Sequence, residues 1–191
     1  MGRHPCVHVW DVDTLESKCH LKLKDGSRGV AAVGISPCLR YIACADLHND
    51  HHVYIYNIKK GGKQLLAIEG SKEKIIDLAW SKKLNDLRFC TIGLKETKFW
   101  NPADATKRLF QKGTFAGKAD MTTFNSVVFD TEGYAYTGGR NGSIYIWDGS
   151  SSLEKAIKAN GCEITSICHE NGKLITSGVD SKVVVFGGKG G

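Results

Sequence analysis

Apolar and polar positions alternate along nearly the whole chain in short runs separated by polar turns, and the runs recur in ordered sets of four. The first set is Cys19–Leu23, Gly29–Ile35, Tyr41–Ala45 and His52–Tyr56. The second is Gln64–Glu69, Ile75–Trp80, Leu87–Gly93 and Thr97–Trp100. The third is Arg108–Lys112, Phe124–Asp130, Tyr134–Gly139 and Ser143–Trp147, and the fourth is Glu154–Ala159, Glu163–His169, Leu174–Gly178 and Lys182–Phe186. Val, Ile, Tyr, Phe and Thr dominate the runs, and these residues suit a pleated, half-buried surface. With the run at Val7–Asp11, the pattern predicts seventeen strands: two at the start, twelve in three sheets of four, and three at the end. No long 3.6-residue period is present, and Ala103–Phe110 is the one stretch that could hold a helical turn.

The last strand of each set ends on an aromatic residue. The endings are VHVWD (Val7–Asp11), VYIYN (Val53–Asn57), TKFWN (Thr97–Asn101), IYIWD (Ile144–Asp148) and VVVFG (Val183–Gly187). The aromatics are Trp10, Tyr56, Trp100, Trp147 and Phe186, at intervals of 46, 44, 47 and 39 residues by subtraction. A period of about 40–45 residues, four strands long with an aromatic-Asp ending, marks the blades of a WD-repeat propeller. The expected fold is therefore all-β: a WD-repeat β-propeller of about four blades over residues 1–191, a fragment of a larger ring, with repeats near 11–56, 57–100, 101–147 and 148–186. Remaining blades or a second copy are expected to cover its open sheet edges. The five aromatics are expected to pack between blades, with Trp147 buried and Ile144 and Ile146 on alternate faces of its strand. Thr137, Asn141 and Trp147 best match the hydrogen-bonded network of such blades, and Thr176 and Asp180 match it more loosely.

The gaps carry turn chemistry. Asn171-Gly172 and Asn141-Gly142 each suit a tight hairpin with positive φ at both central positions. Thr131-Glu132-Gly133 and Ser36-Pro37 mark further turns, and Asn101-Pro102 ends a strand.

Beyond the period, the order of segments resembles the first propeller of the echinoderm microtubule-associated protein-like family. PCVHVWDVDTL (Pro5–Leu15) resembles that family's P-x-V-x-I-W-D-x-x-T-L block. GVAAVGIS followed by YIACADLHNDHHVYIYN resembles its inner strand and the Asp/Asn-rich loop before a W-D-W-like strand. ATKRLFQKGTF (Ala105–Phe115) and TGGRNGSIYIWDG (Thr137–Gly149) resemble its K-K-x-G-x-F insertion and its T-G-x-x-x-G-x-I-x-V-W block. The resemblance covers roughly residues 5–187. The chain departs from the family where YIYN replaces W-D-W, and where Ala159-Asn160-Gly161 replaces an Ala-His pair. No Gly-His pair precedes any inner strand. The family's hydrophobic motif and second propeller lie outside this sequence. The resemblance implies a non-catalytic scaffold that binds tubulin or microtubules, in the cytoplasm and on the cytoskeleton.

Composition sharpens this reading. The longest apolar runs fall far below the ~18 residues that would span a bilayer, so no membrane partner is expected. Seven cysteines, an odd number with no C-x-x-C pair, point to a reducing cytosol without a disulfide framework. Cys44, Cys90 and Cys168 fall inside strands, as small apolar fillers. The net charge is +6, yet residues 59–118 hold 14 Lys/Arg against 6 Asp/Glu, a local excess of +8, and the rest balance at −2. This asymmetry favours an acidic partner. By the strand order, loops from outer to inner strands and from middle to aromatic-ended strands share one rim. That rim would carry Arg28, His48, Lys72, Lys74, Lys95, Lys118 and Arg140, the candidate partner-binding residues.

Three other chemistries compete with protein binding. His48-Asn49-Asp50-His51-His52 has metal-ligand residue types, but it falls in a loop where polar turns belong. His51 and His52 should also point to opposite sides, so no metal or other cofactor is expected. Gly138–Gly142 is glycine-rich without a following helix to hold a phosphate, and no G-x-S-x-G elbow is present. No enzyme is therefore expected. Phe99-Trp100 beside Lys95 and Lys98 is the nearest approach to a base-stacking platform. A generic scaffold subunit of another complex is the second reading and an RNA-binding propeller the third.

Overall fold

The computed structural model describes residues 4–103 and 109–187, as seventeen strands and one short 3-10 turn, with no α-helix among them. The helical turn expected within Ala103–Phe110 falls largely on residues outside those described. The chain divides into two compact units, residues 1–75 and 76–191.

In the first unit, β1 (Cys6–Trp10) pairs with β2 (Ser17–Lys22) as an antiparallel ribbon. A second sheet runs β3 (Val30–Ile35), β4 (Tyr41–Asp46), β5 (His52–Asn57) and β6 (Lys63–Glu69) in chain order. Leu21, Ile42, Cys44, Tyr54 and Tyr56 form the shared core. Two tyrosines tie the ribbon to the sheet: the Tyr56 hydroxyl donates to the Lys22 carbonyl, and the Tyr54 hydroxyl accepts from the Lys24 N–H at 3.1 Å.

The second unit holds three sheets. One is β7 (Ile75–Trp80, opening at the boundary), β8 (Phe89–Gly93), β9 (Glu96–Trp100) and β10 (Phe110–Lys112). Next come β11 (Phe124–Phe129), β12 (Ala135–Gly139), β13 (Ser143–Trp147) and β14 (Leu153–Lys158). The last has three strands, β15 (Ile164–Glu170), β16 (Lys173–Gly178) and β17 (Val183–Phe186). Each four-stranded sheet ends on the outer strand that opens the next sequence set.

Aromatic packing joins sheet to sheet. Trp147 is fully buried, with Phe99 from β9 at 5.6 Å and Phe115 at 5.3 Å between ring centres. A side chain of this size removes roughly 150–250 Å² from water, on the order of 4–6 kcal/mol at 25 cal/mol per Å² as an upper figure. Inner strands are also stitched by side chains. Asp77 Oδ2 accepts the Val127 N–H at 3.0 Å, and Ser126 Oγ accepts the Ile167 N–H at 3.2 Å. Burial pushes the Asp77 carboxyl above its ordinary value, and the Val127 and Leu78 N–H groups and the Ser126 hydroxyl only partly offset that rise.

Four expectations are corrected here. Ile144 and Ile146 share one face and pack with Ile164 and Ile167, while Tyr145 and Trp147 face the other core; a period of two permits nothing else. Trp10 is 59% exposed, because the β1–β2 ribbon has no middle strand for the indole to cover. Cys44 and Cys90 are buried, but Cys168 lies on the outward side of β15. Asn171 and Gly172 both take positive φ, whereas at Asn141-Gly142 only the glycine does. The Asn141 side chain shapes that turn instead, accepting the Ser143 N–H at 3.1 Å and donating to the Tyr145 hydroxyl at 2.8 Å.

Candidate functional site

Antiparallel pairing fixes which loops share a sheet end. Val30, which opens β3, pairs with Asp46, which closes β4, and His52, which opens β5, pairs with Glu69, which closes β6. The loops carrying Arg28 and His48 therefore lie at one end of that sheet, and the segment with Lys72 and Lys74 leaves from the same end. Arg28 donates from Nη1 to Asn49 Oδ1 at 2.9 Å, and His48 Nδ1 stands 3.4 Å from Asp50 Oδ2. Lys72 and Lys74 are exposed.

The second unit repeats the arrangement. Lys95 sits in the β8–β9 hairpin with φ of 52°, Lys118 lies in the connection before β11, and Arg140 opens the β12–β13 turn; all three are exposed. Arg140 Nε donates to Glu163 Oε1 at 3.1 Å. Asn125 first and Arg140 second hold the Glu163 carboxyl below its ordinary value. The seven candidates thus differ in kind. Arg28 is engaged by Asn49 and His48 by Asp50, both on the β4–β5 loop, and Arg140 by Glu163 just before β15. Lys72, Lys74, Lys95 and Lys118 form no ion pair among the described residues, and all four are exposed.

Two further cations lie at these sheet ends and escaped the sequence reading. Lys24 follows β2, and its Nζ lies 3.3 Å from His52 Nε2. Lys158 closes β14 opposite Ser143 and donates to the Asn141 carbonyl. The contact with His52 places Lys24 at its sheet end, and the β13–β14 register places Lys158 at its own.

The β4–β5 loop gathers more chemistry than its sequence suggested. His51 takes φ of 41° and turns toward the Asp46 carbonyl, so it is not part of the cluster. His48, Asp50 and His52 instead bring their ligand atoms within 4.8 Å of one another. The positions two and four along the loop converge because the chain doubles back on Asp46, whose Oδ1 accepts the N–H groups of both His48 and His52.

Comparison with known proteins fits this architecture. Residues 1–189 match the family described as echinoderm microtubule-associated protein first beta-propeller. A ciliary WD repeat-containing protein, ctxp80, from Euplotoides octocarinatus is 35% identical over 186 residues, covering 96% of this chain and 25% of that protein. The 77 kDa echinoderm microtubule-associated protein of Strongylocentrotus purpuratus is 30% identical over 189 residues, covering 95% of this chain and 27% of that protein. The chain thus spans about a quarter of the length of these relatives. Among solved structures, the Cps50 (Swd1) β-propeller domain of Myceliophteria thermophila aligns with a TM-score of 0.76 at 13% identity, over 95% of this chain and 58% of that one. The computationally designed Ika4 protein aligns at 0.67 and 15% identity, over 91% of this chain and 98% of its own. At such identities the likeness speaks for the fold alone.

Proposed function

We propose a function from one premise: the chain belongs to the echinoderm microtubule-associated protein family, as a segment of its first β-propeller. It acts as a non-catalytic scaffold that binds tubulin or the microtubule surface, in a cytoplasmic, cytoskeletal role. The observation that carries this reading is the family match over residues 1–189, joined by relatives named as microtubule-associated proteins. The exposed lysines support it. Lys72 and Lys74 in the first unit, and Lys95 and Lys118 in the second, are exposed loop charges that an acidic partner such as tubulin would attract. Each exposed charge pair contributes only about 0.2–1 kcal/mol, so several must act together and steer the encounter.

The test is co-sedimentation of the intact protein with microtubules across a salt series. Binding should weaken as salt rises, because screening acts within about 8–10 Å at physiological ionic strength. Reversing Lys72, Lys74, Lys95 and Lys118 to Glu together should reduce binding while the melting transition stays in place. Unchanged binding by that variant would remove these loops from the contact surface. Absence of co-sedimentation at the lowest salt would remove tubulin itself as the partner.

A further inference from the structure

We propose that His48, Asp50 and His52 form a binding site for one divalent metal ion of the zinc class, in the loop between β4 and β5. The inference is independent of the microtubule reading. Two imidazoles and one carboxylate are a zinc donor set that leaves one coordination position open. His48 Nδ1 and Asp50 Oδ2 are 3.4 Å apart. That is about the separation of two ligands each ~2.1 Å from a tetrahedral ion. The third ligand atom lies within 4.8 Å of both, so closure needs only a small movement of the loop.

His52 supplies the independent sign that something belongs here. Its side chain is 95% buried, and its Nδ1 has no hydrogen-bond partner. Asp46 Oδ2 stands 3.7 Å from it, beyond hydrogen-bond reach. A buried polar atom without a partner is rare enough in a native fold to call for an explanation, and an ion supplies one. The frame around it is already set. Asp46 is fully buried; its Oδ1 accepts the N–H groups of His48 at 3.1 Å and His52 at 2.8 Å, and its Oδ2 accepts the Tyr54 hydroxyl at 2.8 Å. That carboxylate shapes the loop and supplies negative charge beside the ion, the usual task of groups just behind the ligands.

Two contacts oppose the ion and make the proposal sharper: the Asp50 N–H donates to His48 Nδ1 at 3.3 Å and must release that nitrogen, and Lys24 holds His52. Lys24 Nζ lies 3.3 Å from His52 Nε2. An ammonium can only donate, so His52 in this state carries its single proton on Nδ1. Ligation through Nδ1 would require that proton to move to Nε2 and the ammonium of exposed Lys24 to turn to solvent. Lys24 and the metal compete for one imidazole.

Calorimetric titration of the full chain with zinc chloride in a non-coordinating buffer tests this, with cobalt(II) absorption as the spectroscopic companion. One zinc should bind per chain, and cobalt should show the visible bands of a four-coordinate ion. His48→Gln and Asp50→Asn, both at solvent-accessible positions, should each weaken zinc by about tenfold or more. Lys24→Ala should tighten it several-fold, which a merely structural loop would not do. The pair His8→Gln with His20→Gln, whose rings lie 4.3 Å apart and tilted on the β1–β2 ribbon, should leave binding unchanged. Absence of zinc binding at high micromolar concentration would overturn the site. So would affinity unmoved by both loop variants, or binding lost in the His8/His20 variant.

Discussion

Trp147 donates its indole N–H to Thr137 Oγ1 at 3.0 Å, and neither residue has any solvent exposure. Trp100 makes the same bond to Thr91, at 2.9 Å. In both sheets the threonine lies two residues beyond the one paired with the tryptophan, Ala135 or Phe89. Where the aromatic has no N–H, the partner changes as well. Tyr56 pairs with Ile42, Cys44 stands in the threonine's place, and the tyrosine hydroxyl turns to the Lys22 carbonyl. Phe186 pairs with Leu174, and Thr176 donates to Asn160 Oδ1 at 3.1 Å instead.

Removing either end of the Trp147–Thr137 bond should destabilise the fold by different amounts. Trp147→Ala leaves a cavity between sheets and should cost about 3–5 kcal/mol. Thr137→Val keeps the volume but orphans the indole N–H, costing about 1–3 kcal/mol. The double variant should cost less than the two singles added, since the second change finds the bond already broken. Urea denaturation of the four proteins measures this; a neutral Thr137→Val would show that the bond contributes nothing.

Gly149 and Gly61 separate backbone strain from collision. Both take positive φ, 77° and 65°. A Cβ at Gly149 would run into the Gly133 carbonyl, whereas one at Gly61 would meet nothing within 4 Å. Gly61→Ala should cost about 1–2 kcal/mol, the left-handed penalty alone, and Gly149→Ala distinctly more. Equal losses in thermal unfolding would contradict the close approach of the two loops.

Asp11 should make stability acid-sensitive in a defined window. The Thr14 N–H first, and Lys18 second, hold its carboxyl down at about 2, from an ordinary 3.8. A depressed carboxyl stabilises the fold above its ordinary value and loses that contribution as pH falls through its folded value. The stability gap between the native chain and Asp11→Asn should therefore be full above pH 4 and shrink toward pH 2. A gap that does not change across that range would refute the assignment.

Thiol reactivity should follow the environment of each cysteine. Burial pushes Cys44 up to about 12 and Cys90 well above its ordinary value. Cys38 is exposed, and the Ser36 hydroxyl holds its thiol below the ordinary value. Iodoacetamide near neutral pH should label Cys38 early and leave Cys44 and Cys90 untouched until unfolding. Peptide mapping by mass spectrometry reads this directly; early labelling of Cys90 would mean that the second core opens.

The sequence by itself determined the strands, their order and the recurring aromatic, because period-two alternation and a fixed repeat length are local properties that survive without neighbours. It identified Trp100 and Trp147 as buried positions, and it picked out Asn171-Gly172 as a turn with two left-handed residues. Tertiary structure decided the rest. Trp10 carries the same local pattern as Trp147 and is exposed, since burial depends on a middle strand that its own ribbon lacks. Asn141-Gly142 reads like Asn171-Gly172, yet a hydrogen bond to the Tyr145 hydroxyl commits the asparagine side chain elsewhere. His48, Asp50 and His52 looked like an ordinary polar loop. What brought their donors together was the positive φ at His51 and one buried carboxylate, Asp46, capturing two backbone N–H groups. Alternation is written residue by residue, but convergence requires the chain to turn back on itself, and partners outside the loop drive that turn.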